Sequence, residues 1–265
     1  MRRFNKKKSK KYFGALFLLL FFICLFSTGI FLKTYSIEPI DEEDEEYNKI
    51  VDDRVVNEEL NRVTYKDGFY YEYLSNDIKN RITGYSFPDN TYDKISYDDL
   101  RYLRVKYYDY DNNVCDGELI VNKDVSLEVL KIFYELYSLK YQFSKIKLVD
   151  DYSADDDLSM KDNNTSAFNF RNVENSDKLS WHCFGLAIDI NPLYNPYISL
   201  GEVYPSVSAK YIDRTKSFAH KIDHEDLAYK VFVKYGWKWG GDFVYSKDYQ
   251  HFYKDIYDES VRDVR

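Results

Sequence analysis

The stretch LSWHCFGLAIDINP, residues 179 to 192, sets His182 and Asp189 seven positions apart in a chain with only 4 histidines. Imidazole and carboxylate are both common zinc ligands. In one straight strand these side chains would face opposite sides and stand roughly 23 Å apart, at ~3.3 Å per residue. Donor atoms must instead come within about 2.0 to 2.2 Å of a shared ion. The chain must therefore fold back between them, and Gly185 is the residue that permits a tight reversal. Leu186, Ala187, Ile188 and Ile190 then read as a strand, with small Ala187 leaving room beside a site. Two ligands do not hold zinc, so a third must come from elsewhere.

His220, His224 and His251 are the remaining histidines. His220 and His224 are four apart, as in HExxH sites, but no glutamate follows His220. Asp223 reads as a helix cap, which leaves His220 ahead of the helix. His251 sits in WKWGGDFVYSKDYQHFY with Asp248 three residues upstream. A catalytic zinc site uses three protein ligands, leaves one position for water and needs a base for the water's proton. His182, Asp189 and His251, with Asp248 as base, would complete that set. The competing account has two ordinary hydrogen-bonded histidines and acids that are surface charge. Cys183 follows His182 and could be a nucleophile only by taking the histidine the metal needs. Cys115 and Cys183 leave a disulfide or two free thiols open.

Several elements must position these residues. LRYLRVKYYDY (100–110) and GELIVN (117–122) read as strands around an Asp-Asn turn. In DVSLEVLKIFYELYSL (124–139), Val125, Leu127, Val129, Leu130, Ile132, Phe133 and Leu136 fall on one helical face, with Asp124 or Ser126 as cap. KIKLVDDY (145–152) reads as a strand and 153–171 as a polar loop. DHEDLAYKVFVKYG (223–236) reads as a helix ending at Gly236. Aromatic strands follow in WKWGGDFV and YQHFY. The order predicts an α+β fold: one compact domain with a small antiparallel sheet and flanking helices. Tyr245 and Tyr249 are candidate substrate contacts, whereas Trp237 and Trp239 read mostly as core.

Residues 1–11 carry seven Lys or Arg and no acid, and Tyr12 to Leu32 runs 21 residues without a charge. That length of helix spans a hydrocarbon core of about 30 Å. No small-x-small cleavage site ends the run, so a retained single-pass transmembrane helix is expected at 12–33. The basic residues place the N-terminus in the cytoplasm and the rest of the chain outside the cell membrane. Residues 34–60 include six consecutive acids, Asp41 to Glu46, and read as a solvated spacer before a domain at 61–265. Beyond residue 33 the chain carries 29 basic against 45 acidic residues, a formal −16. Such a surface offers nothing to nucleic acid.

SWHCFGLAID fits S-x-H-x-x-G-x-A-x-D and DYQH fits D-x-x-H. In this order they resemble the zinc D-alanyl-D-alanine carboxypeptidases of the vancomycin-resistance type and the related L-alanyl-D-glutamate endopeptidases. SM-x-x-NNTSAFNFR (159–171), AIDINPLYNPY (187–197) and GWKWGGDF (236–243) extend the likeness to roughly residues 80 to 255. The resemblance implies one Zn2+ on His182, Asp189 and His251, and Asp248 as catalytic base. It also implies Arg171 as substrate-binding arginine and Ser180 in support. Phe243 stands where many relatives have Trp. Implied substrates are peptidoglycan stem peptides, cut as a carboxypeptidase or as an endopeptidase. A wall-binding module without turnover is the alternative of another class.

Overall fold

The computed structural model describes residues 61–89, 94–174 and 176–263. The span expected at 12–33 and the spacer at 34–60 lie outside them. Among the described residues no helix is long and apolar enough to cross a membrane.

The first structural unit is an antiparallel sheet in the order β1 (Val63–Lys66), β2 (Phe69–Glu72), β3 (Leu100–Tyr108), β4 (Val114–Asn122). The β3–β4 hairpin forms where its alternating pattern meets an Asp-Asn turn. Asp109 Oδ1 accepts the amides of Asp111 and Asn113 at 2.9 and 2.8 Å, and Asn112 takes a left-handed φ of +63°. A short helix, α1 (Asn76–Ile82), connects β2 to this hairpin.

Helix α2 (Ser126–Ser138) lays Val129, Leu130, Ile132, Phe133 and Leu136 on that sheet. Neither Asp124 nor Ser126 caps it, contrary to expectation. A 3-10 turn, Lys123–Val125, precedes the helix, and Asn122 caps that turn by accepting the Asp124 amide. Ser126 turns its hydroxyl back to the Lys123 carbonyl instead.

The expected strand at 145–152 shortens to β5 (Lys145–Ile146), and a 3-10 turn at Val149–Tyr152 follows. There Asp150 turns inward to the amide and hydroxyl of Ser86, which bends the chain away from any ladder. The expected polar loop also contains structure: helix α3 (Asp156–Lys161), capped by Asp155, and β6 (Asn164–Thr165), parallel to β5.

Beyond these lie two further small sheets. In one, β12 (His251–Tyr253) runs antiparallel between β10 (Lys238–Trp239) and β7 (Ala187–Asp189). In the other, β8 (Tyr197–Ser199) lies between β11 (Lys247–Asp248) and β9 (Glu202–Tyr204). Helix α4 (Leu227–Lys234) packs on α2. Its cap is Asp226, which accepts the Ala228 amide at 2.8 Å, and not Asp223, which instead accepts the Glu225 amide. Gly236 ends it at φ +77°.

The fold is thus a mixed α and β arrangement of several small sheets, mostly antiparallel, where one sheet was expected. Aromatic packing joins its parts. Phe133 of α2 meets Phe232 of α4 edge-on at 6.5 Å, and Phe232 stacks on Phe252 of β12 at 4.5 Å. Because strand neighbours face opposite ways, burying Phe252 in this core turns His251 to the other side. Trp237 and Trp239 are 2% and 5% exposed, so both belong to the core as expected.

Candidate metal centre

His182 lies in a 3-10 turn, Trp181–Phe184, that Ser180 caps by accepting the His182 amide at 3.3 Å. Gly185 ends the turn at φ +64°. A Cβ there would stand 2.5 Å from the Asn122 amide nitrogen, so both conformation and space require glycine. Asn122 also anchors the turn from the end of β4, giving its amides to the carbonyls of Gly185 and Phe184. The reversal delivers the chain into β7, where Asp189 faces His251 as its direct cross-strand partner. Directly opposed residues place their side chains about 5 Å apart at Cβ.

The three donors converge. His182 Nε2 lies 3.1 Å from His251 Nδ1 and 3.2 Å from Asp189 Oδ2, and His251 Nδ1 lies 3.0 Å from Asp189 Oδ1. A tetrahedron around zinc at ~2.0 Å has edges of about 3.3 Å, so these separations match a shared ion. All three residues are buried, and theirs is the group among the described residues that could hold a metal.

The proton arrangement agrees. His182 Nδ1 is hydrogen-bonded to the Ala167 carbonyl, which can only accept, so Nδ1 carries a hydrogen. A neutral ring then presents a bare lone pair at Nε2 to a carboxylate and a second imidazole. Those electron-rich atoms can share 3 Å of buried space only with positive charge among them, and a cation fits. Burial alone would raise the Asp189 carboxyl's pKa. Positive charge shared with the neighbouring imidazoles outweighs that and holds it well below the usual range.

Asp248 ends β11 on the wall beside the triad. Its Cβ and that of His251 lie 2.8 and 3.2 Å from where a Cβ on Gly240 would stand, so they are no more than 6.0 Å apart. Asp248 Oδ1 is buried without a hydrogen-bond partner. Burial pushes its pKa up to about 7; His251 and Arg171 oppose the rise and Asp189 adds to it.

A cleft of about 930 Å³ opens over these residues, with Arg171, Ser180, Tyr197, Tyr204, Phe243 and Tyr253 among its lining. Arg171 pairs through Nε with Asp156 of α3. Tyr245 and Tyr249, the tyrosines expected to contact substrate, are not in the lining. Tyr245 is 98% exposed in the bend before β11. Tyr249, in the bend after β11, lies under the Arg214 guanidinium at 4.3 Å.

The other histidines lie apart. His220 stacks on Tyr110 at 3.7 Å, and exposed His224 pairs with Asp242. Cys115 and Cys183 are both free. The Cys183 thiol donates to the Arg171 carbonyl and accepts its amide, and burial pushes its pKa up to about 11. It is therefore a fastener for the arginine's backbone and a poor nucleophile. Sequence reasoning missed Gly240, Asp156 and the Ala167 carbonyl. The acid run 155–157 was a signal for Asp156, while a backbone carbonyl leaves none.

A family model described as D-alanyl-D-alanine carboxypeptidase matches residues 174–254. Searches of curated proteins and of solved structures gave no significant match. The matched segment holds Ser180, His182, Asp189, Asp248 and His251. It is shorter than the likeness read from roughly 80 to 255 and leaves Arg171 outside. Over residues 174–254, which hold all three converging donors, the chain is therefore similar to the D-alanyl-D-alanine carboxypeptidase family.

Proposed function

We propose that this chain is a zinc metallopeptidase that hydrolyses peptidoglycan stem peptides, releasing terminal D-alanine, from a domain held outside the cell membrane by the helix expected at 12–33. The observation that carries the reading is the convergence of His182, Asp189 and His251 within 3.2 Å beside a buried carboxylate, in a cleft large enough for a peptide. When bound, zinc supplies Lewis acidity that polarises a carbonyl and makes water a better nucleophile.

The chain's own residues do the rest. The Ala167 carbonyl holds the His182 ring so that Nε2 faces the site. The Asp248 carboxylate takes the proton of the attacking water and returns it to the leaving amine. Its Oδ1 suits this role because no protein group already occupies it. Arg171 offers positive charge to a substrate carboxylate. The base must be ionised, so turnover falls as pH drops through the Asp248 pKa, which burial raises and a cation beside it lowers.

The test is incubation of the protein with purified muropeptides and mass spectrometry of the products. Loss of a terminal D-alanine is expected; a split after L-alanine reassigns the bond to the endopeptidase type. No product under several metal conditions favours a binding module. Asp248→Asn should keep zinc and lose about 10² to 10⁴ in kcat, and wild-type turnover by this variant would remove Asp248 as the base.

A further inference from the structure

The cleft is rich in acids: Asp155, Asp156, Asp157, Glu174, Glu202 and Glu259 all line it. A substrate carboxylate enters such a cleft only where a cation is aimed at it. The lining contains two arginines. Arg262 is committed elsewhere, with Nε on the Leu179 carbonyl, Nη1 on Glu259 at 3.0 Å and its guanidinium over Trp181 at 4.9 Å. Arg171 is held differently. Its Nε pairs with Asp156 Oδ2, Nη1 makes a long 3.3 Å bond to the Asn172 carbonyl, and its side chain is a third exposed.

Asp156 is itself fixed. Its Oδ1 accepts Asn169 Nδ2 at 2.8 Å, and buried Asn169 gives its amide to the carbonyl of His182 at 3.2 Å. One carboxylate thus ties the arginine to the backbone of a candidate metal ligand. An unrestrained arginine has many rotamers, and a carboxylate is gripped best by a planar fork set in advance.

We infer that Asp156 is a positioning residue: it clamps the Nε edge of Arg171 and thereby presents the Nη edge to the terminal carboxylate of the substrate. The inference rests on the reading of Arg171 as the carboxylate's partner. It makes Asp156 a determinant of specificity for free C-terminal acids over amides, although it bears the same charge as the group recognised.

The experiment compares binding of N-acetyl-L-lysyl-D-alanyl-D-alanine and of its C-terminal amide. Calorimetry is run on the zinc-loaded full-length chain carrying Asp248→Asn to prevent turnover. To this background are added Asp156→Asn, Asp156→Ala or Arg171→Ala. Asp156→Asn keeps an acceptor for Asn169 while turning a donor towards Arg171, so it spares α3. The parent chain should prefer the acid by about tenfold or more, as a charged hydrogen bond warrants. Both Asp156 variants should lose most of that preference with affinity for the amide and zinc content unchanged. A merely structural role would weaken acid and amide alike, and that result overturns the inference. If Arg171→Ala abolishes the preference and both Asp156 variants retain it, the inference alone falls. If the parent chain or Arg171→Ala shows that the preference does not depend on Arg171, the reading of Arg171 falls as well.

Discussion

Gly240 tests the geometry of the site without touching any of its functional groups. A Cβ there would lie 2.7 Å from the Asp248 carbonyl oxygen, 2.8 Å from Asp248 Cβ and 3.2 Å from His251 Cβ. Ordinary contact begins near 3.4 Å, so Gly240→Ala falls short by about 0.7 Å at Asp248 and about 0.2 Å at His251. Neither neighbour is a flexible end that swings aside. Asp248 is paired to β8 at Tyr197, and His251 to β7 at Asp189. Overpacking of this kind costs about 1 to 3 kcal/mol, which for a domain of this size lowers Tm by on the order of 5 °C.

The functional cost should exceed the stability cost. Misplacing a reacting group by about 1 Å can cost ~10²-fold, so a shift of this size should reduce kcat by about ten- to a hundredfold. Zinc content should remain near wild type, because the metal-side strand is pushed least. Gly201→Ala is the control. Its Cβ would meet nothing within 4 Å, but φ is +85°, so it should cost about 1 kcal/mol of backbone strain without changing kcat. The measurements are kcat on a muropeptide, zinc by elemental analysis and Tm for both variants. Gly240→Ala with wild-type kcat and Tm would refute the close approach. Loss of zinc in step with activity would show that the ligand, not the base, had moved.

Chelation should lower Tm and added zinc restore it. Free ion a thousandfold above its Kd contributes about 4.1 kcal/mol to the folded state, and an unchanged Tm would count against a metal at His182, Asp189 and His251. Asp226 tests linkage: burial pushes its pKa up to about 6 from an ordinary 3.8. The folded state thus holds that proton more tightly, and the group's stabilisation, complete below pH 3.8, is lost as pH rises through 6. Asp226→Asn keeps the cap and should stabilise the protein at pH 7 by at most about 3 kcal/mol and hardly at pH 3.5, as denaturant melts at both values would show. Alkylation with iodoacetamide should label partly exposed Cys115 ahead of buried Cys183 and leave turnover intact, as peptide mapping would reveal.

Some of this was settled by local rules that need no tertiary context. The β3–β4 hairpin follows from alternation around an Asp-Asn turn, and α2 from one continuous apolar face. Gly185 had to permit reversal because two ligands seven residues apart cannot otherwise approach one ion. The order of the motifs pointed to His182, Asp189, His251 and Asp248 together. Caps read less well: Asn122 and Asp226 won over Asp124 and Asp223 because a cap is chosen by where the helix starts, and packing sets that start.

Only the tertiary structure decided what surrounds the site. Tyr249 was a candidate substrate contact in sequence, and only the fold shows its ring under the Arg214 guanidinium. Asp156 sat in a run of acids that reads as solvated charge until α3 carries it to Arg171. The His182 tautomer depends on the carbonyl of Ala167, fifteen residues away, and carbonyls are the same in every residue. Side-chain identity and spacing write the chemistry of a site into the sequence. The partners that orient those side chains are set by which surfaces pack together, a property of the whole chain.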